Sequence, residues 1–166
     1  EYTSLNNKDN YQKVIFQYDY NKKLNNNALS PSLLINSQIN IISNTTTPVY
    51  EINYLGGDDL VRGYETDPAL NDSEIADKLK FKNYVFNSIQ FEIPLFIKKS
   101  FKTSVLFFLD KAIGSNQYNN FDTLNKIQGY GFGYSFETTK NIRFDFCIGI
   151  NDYSERNFHF IVKSSA

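Results

Sequence analysis

The sequence has one cysteine, Cys147, and so no intrachain disulfide framework; that thiol is expected to pack or to face inward as an inert group. It has one histidine, His159, and a lone histidine reads as a structural hydrogen-bonding group rather than a metal ligand or catalytic base. Neither sign of charge is in excess: the formal net charge is -1 and no basic cluster tracks a phosphate backbone, which argues against nucleic acid as a partner. Long apolar runs are missing too. The longest, Val105 to Leu109, falls far short of the roughly 20 residues a spanning helix needs, which excludes a transmembrane helix but not a transmembrane barrel. The opening "EYTSLNNKDN" lacks the basic and apolar regions of a signal peptide, as expected of a cytosolic protein or of a mature or truncated piece.

Motifs that carry chemistry are equally scarce. Gly129, Gly131 and Gly133 lack the spacing and the following helix of a dinucleotide loop, and "GYSFE" lacks the second glycine of a nucleophile elbow. No catalytic, cofactor or metal site emerges, so the chain is expected not to be an enzyme. Asp58, Asp59, Glu65 and Asp67 are acidic enough to collect calcium, but without a recognisable spacing a solvated acidic loop is the stronger reading.

What the chain does have is aromatic side chains in alternation. At 41% hydrophobic and 16% aromatic it is too rich in Phe and Tyr to be disordered, and 166 residues make one domain at most. From Tyr11 onward the hydrophobic period is two, the signature of strands with two unlike faces. In "QGYGFGYSFE", Tyr130, Phe132, Tyr134 and Phe136 share one face, while Gly129, Gly131, Gly133 and Ser135 share the other. "NIRFDFCIGI" sets Ile142, Phe144, Phe146, Ile148 and Ile150 against Asn141, Arg143, Asp145, Cys147 and Gly149. "KVIFQYDY", "SLLINSQINII", "NSIQFEIPL", "FKTSVLFFLD" and "NFHFIVK" alternate likewise. This predicts about seven strands of roughly 8 to 12 residues, the length that crosses a bilayer at a tilt. A soluble β-sandwich alternates as well. Gly, Ser, Arg, Asp and Glu suit a wet lumen, whereas unbroken Phe, Tyr and Ile suit lipid, and this favours the membrane barrel.

Between the second and third strands lies a segment of about 40 residues, Ser43 to Lys82, far longer than the ~15 that compact domains usually leave without structure. In its middle stands "LGGDDLVRGYE". Gly56, Gly57, Val61, Arg62, Gly63 and Tyr64 resemble, in order and spacing, the motif of the long lumen loop of the BamA/TamA superfamily, the Omp-85 type of outer-membrane barrel. "SIQFEIPLF", "SVLFFLDKAIG" and "GYGFGYSFETTKNIRFDFCIGI" resemble the strands that follow that loop. The resemblance runs from about Tyr50 to Val162, roughly two thirds of the chain.

The resemblance implies an all-β, antiparallel transmembrane β-barrel of about sixteen strands. The present seven would be its C-terminal part, residues 1–166 with the loop at 43–82; an extra strand in Glu1 to Asn10 would make eight. It implies a non-enzymatic role in outer-membrane protein assembly or polypeptide translocation, in a bacterial outer membrane ahead of a mitochondrial or plastid one. The partners would be the lipid bilayer, client polypeptides, accessory assembly proteins and the remaining barrel strands, upstream or on another chain. The alternative is a barrel that anchors an upstream enzyme domain, such as a patatin-like lipase. Within the lumen, Arg62 is expected to meet an acidic wall, with Asp110 as first partner and Glu92 and Asp145 as further candidates. Glu92 is invoked because Gln90 stands where the family carries an acid. Gly129, Gly131 and Gly133 are expected to give the loop room. The chain ends "FIVKSSA" rather than on the family's usual aromatic residue, which departs from the terminal assembly signal.

Overall fold

The structure, a computed structural model, describes residues 11–43, 51–58, 60–65, 78–115, 124–138 and 142–164. Its strands are β1 (Lys13–Lys23), β2 (Ser32–Ile42), β3 (Asn53–Tyr54), β4 (Lys80–Phe81), β5 (Asn83–Ile97), β6 (Phe101–Ser115), β7 (Asn125–Thr138), β8 (Ile142–Asn151) and β9 (Arg156–Ser164). Seven of them form one antiparallel sheet in the order β1-β2-β5-β6-β7-β8-β9, while β3 and β4 make a separate two-stranded ribbon. The seven alternating segments of the sequence are these seven strands. Several run longer than their apolar cores, β5 and β6 reaching 15 residues each. Ladder hydrogen bonds continue beyond the row of exposed aromatic side chains, through Lys111 to Ser115 of β6. The register shifts between Pro94 and Phe96, where a residue without a backbone N–H interrupts the ladder.

A single sheet is not a sandwich, and its apolar face has no protein layer over it among the described residues. Phe91, Phe107, Phe132, Ile148 and Phe158 form one cross-strand row on that face, and Ile93, Val105, Tyr134, Phe146 and Phe160 form the next. Phe158 is 67% exposed and Phe132 52%. An uncovered apolar surface this continuous belongs against lipid. At one margin Phe96, Phe101, Phe136, Phe144 and Phe160 follow one another with ring centroids 5.2 to 6.4 Å apart, an aromatic girdle at the level of the short turns. The Lys98 ammonium lies 5.1 Å from the Phe96 ring, at the place where headgroups would replace hydrocarbon. No described helix is long and apolar enough to cross a membrane. Among the described residues β1 and β9 are the outer strands and do not pair with each other. An eighth strand within Glu1 to Asn10 would lie outside the described residues.

The core lies between this wall and the long loop. Leu55, Val61, Tyr64, Leu79 and Phe81 from the loop pack on Tyr84, Phe86, Ala112 and Ile127 of β5, β6 and β7. Each large side chain so buried is worth about 1.5 to 3 kcal/mol. The β3 to β4 ribbon pairs the two ends of the loop, and Leu55, Val61 and Tyr64 between them pack against the inner face. Where the loop departs, the Glu51 carboxylate accepts hydrogen bonds from Tyr11 Oη at 2.7 Å and Lys13 Nζ at 2.6 Å. Burial on its own raises a carboxyl, but the bonds from Lys13 and Tyr11 outweigh it and hold Glu51 below its ordinary value. Its contribution to stability is therefore complete above the unfolded carboxyl value of about 4.3 and is lost as pH falls through the lowered one. Glu51→Gln is expected to reduce the urea midpoint at neutral pH, with the gap to wild type closing in acid. An equal gap at every pH would contradict the assignment.

Candidate functional site: a loop bound to the inner wall

The motif is shaped by its own backbone first. The Leu55 N–H donates to Leu79 O at 2.9 Å, Val61 N–H to Leu55 O at 2.9 Å and Gly57 N–H to Val61 O at 3.3 Å. This tight return needs Gly57 at φ 99° and is followed by Gly63 at φ 107°, both in the left-handed region where a side chain is disfavoured. The three residues Arg62, Gly63 and Tyr64 then run along the inner wall and touch it strand by strand.

Arg62 meets β5 and β6. Its Nε and Nη2 donate to the two oxygens of Asp110, at 2.7 and 2.8 Å, and its own backbone N–H reaches Asp110 Oδ2 at 3.1 Å. Nη1 donates to Gln90 Oε1 at 2.7 Å and Nη2 also to Ser88 Oγ at 3.2 Å, while the Ser88 hydroxyl donates to Asp110 at 2.6 Å. The guanidinium carbon lies 3.7 Å from the centre of the Phe108 ring. Asp110 is wholly buried and Arg62 is 5% exposed. Burial works against the cation, but the bonds and charge of Asp110 more than offset it, so Arg62 holds its proton more tightly than a free arginine.

Glu92 and Asp145, the further candidates, make no hydrogen bond or ion pair with Arg62, although the charge of Asp145 adds to the field that holds its proton. Both are taken by Arg143 of β8, whose Nη2 contacts Glu92 Oε1 and whose Nε donates to Asp145 Oδ1 at 2.7 Å. The reason is register: Ser88 stands opposite Asp110, whereas Glu92 stands opposite Leu106, two inner-face rungs away. Gln90, on the rung between, spans the gap by accepting from Arg62 and donating to Glu92 Oε1 at 2.7 Å. An amide with a donor and an acceptor joins the two arginine clusters in a way a carboxylate would not.

The backbone of the motif crosses the wall where side chains are missing. A Cβ on Gly129 would fall on the Arg62 carbonyl oxygen, and one on Gly149 would lie 2.7 Å from Gly63 Cα. Gly131 and Gly133, expected to receive the loop, instead face atoms of the wall itself, Phe108 and Gly149 for the first and Phe146 and Cys147 for the second. Gly149 is the glycine that alternation placed on the inner face but that was not singled out. Gly63 then reaches β9: its N–H donates to His159 Nε2 at 2.8 Å and its carbonyl accepts from Asn157 Nδ2 at 2.7 Å. Tyr64 Oη donates to Asp152 at 3.2 Å, and burial together with that carboxylate pushes the phenol well above its usual pKa. Asp58, one of the acids considered for calcium, is engaged by His159 Nδ1 at 2.6 Å, and Asp59 and Asp67 lie outside the described residues. Cys147 is buried against Leu106 and Phe108. On the β1 and β2 side of the motif a cavity of about 440 Å³ remains, lined by amides such as Gln17, Asn36 and Gln38 and by Asp19 and Arg62.

Ser88, Asn157 and Asp152 were not singled out from the sequence. Ser88 and Asn157 have inner-face parity, but only the register shows which loop atoms they meet.

A lipid-facing antiparallel wall with a buried loop salted to its inner face defines a transmembrane β-barrel protein of the kind that keeps a segment within its lumen. The chain belongs to the Omp85 superfamily, whose domain matches residues 1–162. Members of that superfamily are outer-membrane barrels that insert proteins into the membrane or translocate them across it. No curated protein matches the chain.

Proposed function

We propose that the protein is a BamA/TamA-type assembly barrel, working without chemistry of its own by offering a strand edge to client polypeptides. What supports the reading is the way Arg62, Gly63 and Tyr64 bind the wall from β5 to β9. A strand edge that opens at a barrel seam is a template for an incoming strand, and a loop that braces the wall behind β9 would hold that edge in place. The seven strands would be the C-terminal part of a larger barrel. In a meander of seven, β1 and β9 run in the same direction, so pairing them directly would make one parallel seam. An odd number of further strands, about nine for a barrel of about sixteen, closes it antiparallel throughout.

The test uses the intact protein in phospholipid vesicles presented with an unfolded small outer-membrane barrel. Assembly activity is expected to appear as faster gain of heat-modifiable mobility by the client than in empty vesicles. No acceleration would remove the assembly reading and leave a membrane anchor.

A further inference from the structure

We propose that Asn157 and His159 are positioning residues that latch the loop to β9, so that the loop steadies this strand. The functional meaning of the latch rests on the assembly reading above; its structural content does not. Both polar groups of a single loop residue are held by two side chains of one strand: His159 accepts the Gly63 N–H and Asn157 donates to the Gly63 carbonyl. Asn157 and His159 are two apart on β9, so their side chains stand side by side on its inner face and match the two groups of one residue. They bind Gly63 as a neighbouring strand would.

The histidine is fully committed to the loop. Because the Gly63 N–H is a donor, Nε2 must carry the lone pair, so the proton sits on Nδ1 and is donated to Asp58 at 2.6 Å. Both ring nitrogens of His159, which is 2% exposed, thus go to loop residues and neither to the sheet. The route is built for this contact. Gly63 at φ 107° lies so flat on β8 that a Cβ would come within 2.9 Å of Ile150 C, and Gly149 leaves the space over which its peptide reaches β9. Arg62 binds β5 and β6, so consecutive motif residues hold separate parts of the wall. β9 is the shortest strand of the main sheet, with nine residues, and it alone carries the two side chains that hold Gly63. Losing the Gly63 bonds should therefore loosen β9 ahead of the rest.

Amide hydrogen exchange of the intact protein in lipid nanodiscs, without client, reads this directly. In His159→Leu and in Asn157→Asp, which keeps the volume but loses the donor, the β9 amides are expected to exchange about tenfold faster, with β5 and β6 unchanged. His159→Gln, whose amide oxygen can accept the Gly63 N–H, is expected to restore most of the protection. If His159→Leu does not assemble, Asn157→Asp carries the test. Unchanged β9 exchange, or equal acceleration in every strand, overturns the latch. If β9 loosens while client assembly keeps its wild-type rate, the latch stands and its link to the assembly reading falls.

Discussion

Replacing Arg62 with alanine is expected to cost the folded barrel about 3 to 5 kcal/mol, because the change leaves the wholly buried Asp110 carboxyl group without its cation. Ser88 is the one side chain left to donate to that carboxylate, through a single hydroxyl. Two further groups lose their counterpart: Gln90 Oε1 loses a donor and the face of Phe108 loses its cation. The measurement is the urea midpoint for loss of heat-modifiable mobility, together with protease cleavage of the loop. Arg62→Lys should recover little, since one ammonium cannot reproduce the two-pronged contact with Asp110 and still reach Gln90. The double change Arg62→Met with Asp110→Leu should be less damaging than either single truncation, because it removes the stranded charge. If Arg62→Ala keeps the wild-type midpoint and loop protection, the pair does not hold the loop.

The strands and their two faces were legible in the sequence because alternation of Phe, Tyr and Ile with small and polar residues is a local property. It survives in "QGYGFGYSFE" whatever the neighbouring strand does. The partnership of Arg62 with Asp110 was approachable because Asp110 has inner parity and a matching place in the family's pattern. Glu92 and Asp145 share that parity and went to Arg143 instead, since parity selects a face but only register selects a rung. The ribbon of β3 and β4 has two residues per strand and leaves no periodicity to find. The binding of Gly63 by Asn157 and His159 lay further out of reach, because the groups engaged on the loop side are backbone atoms, alike in every residue.

Gly129→Ala is the change expected to displace the loop most completely for the fewest atoms added. A methyl at that position would occupy the place of the Arg62 carbonyl oxygen and lie 2.8 Å from its carbonyl carbon. One of the two must move. Gly129 is held in β7 between Asp110 of β6 and Asn151 of β8, a ladder bonded on both sides. Arg62 belongs to an irregular segment held by the wall's side chains rather than by a backbone ladder. The loop therefore gives way rather than the wall. Overpacking by itself typically costs about 1 to 3 kcal/mol. Lifting the backbone by an ångström or more also pulls the guanidinium off Asp110, so the total should approach that of Arg62→Ala. Gly133→Ala serves as the contrast, because its added methyl would meet the Phe146 carbonyl at 2.5 Å and Cys147 Sγ at 2.8 Å, both within the wall. It should lower the urea midpoint while leaving the loop protected from protease. Rapid loop cleavage in Gly129→Ala but not in Gly133→Ala would assign the room on the wall to Gly129. Equal protection in both would mean that the loop does not depend on the space Gly129 leaves.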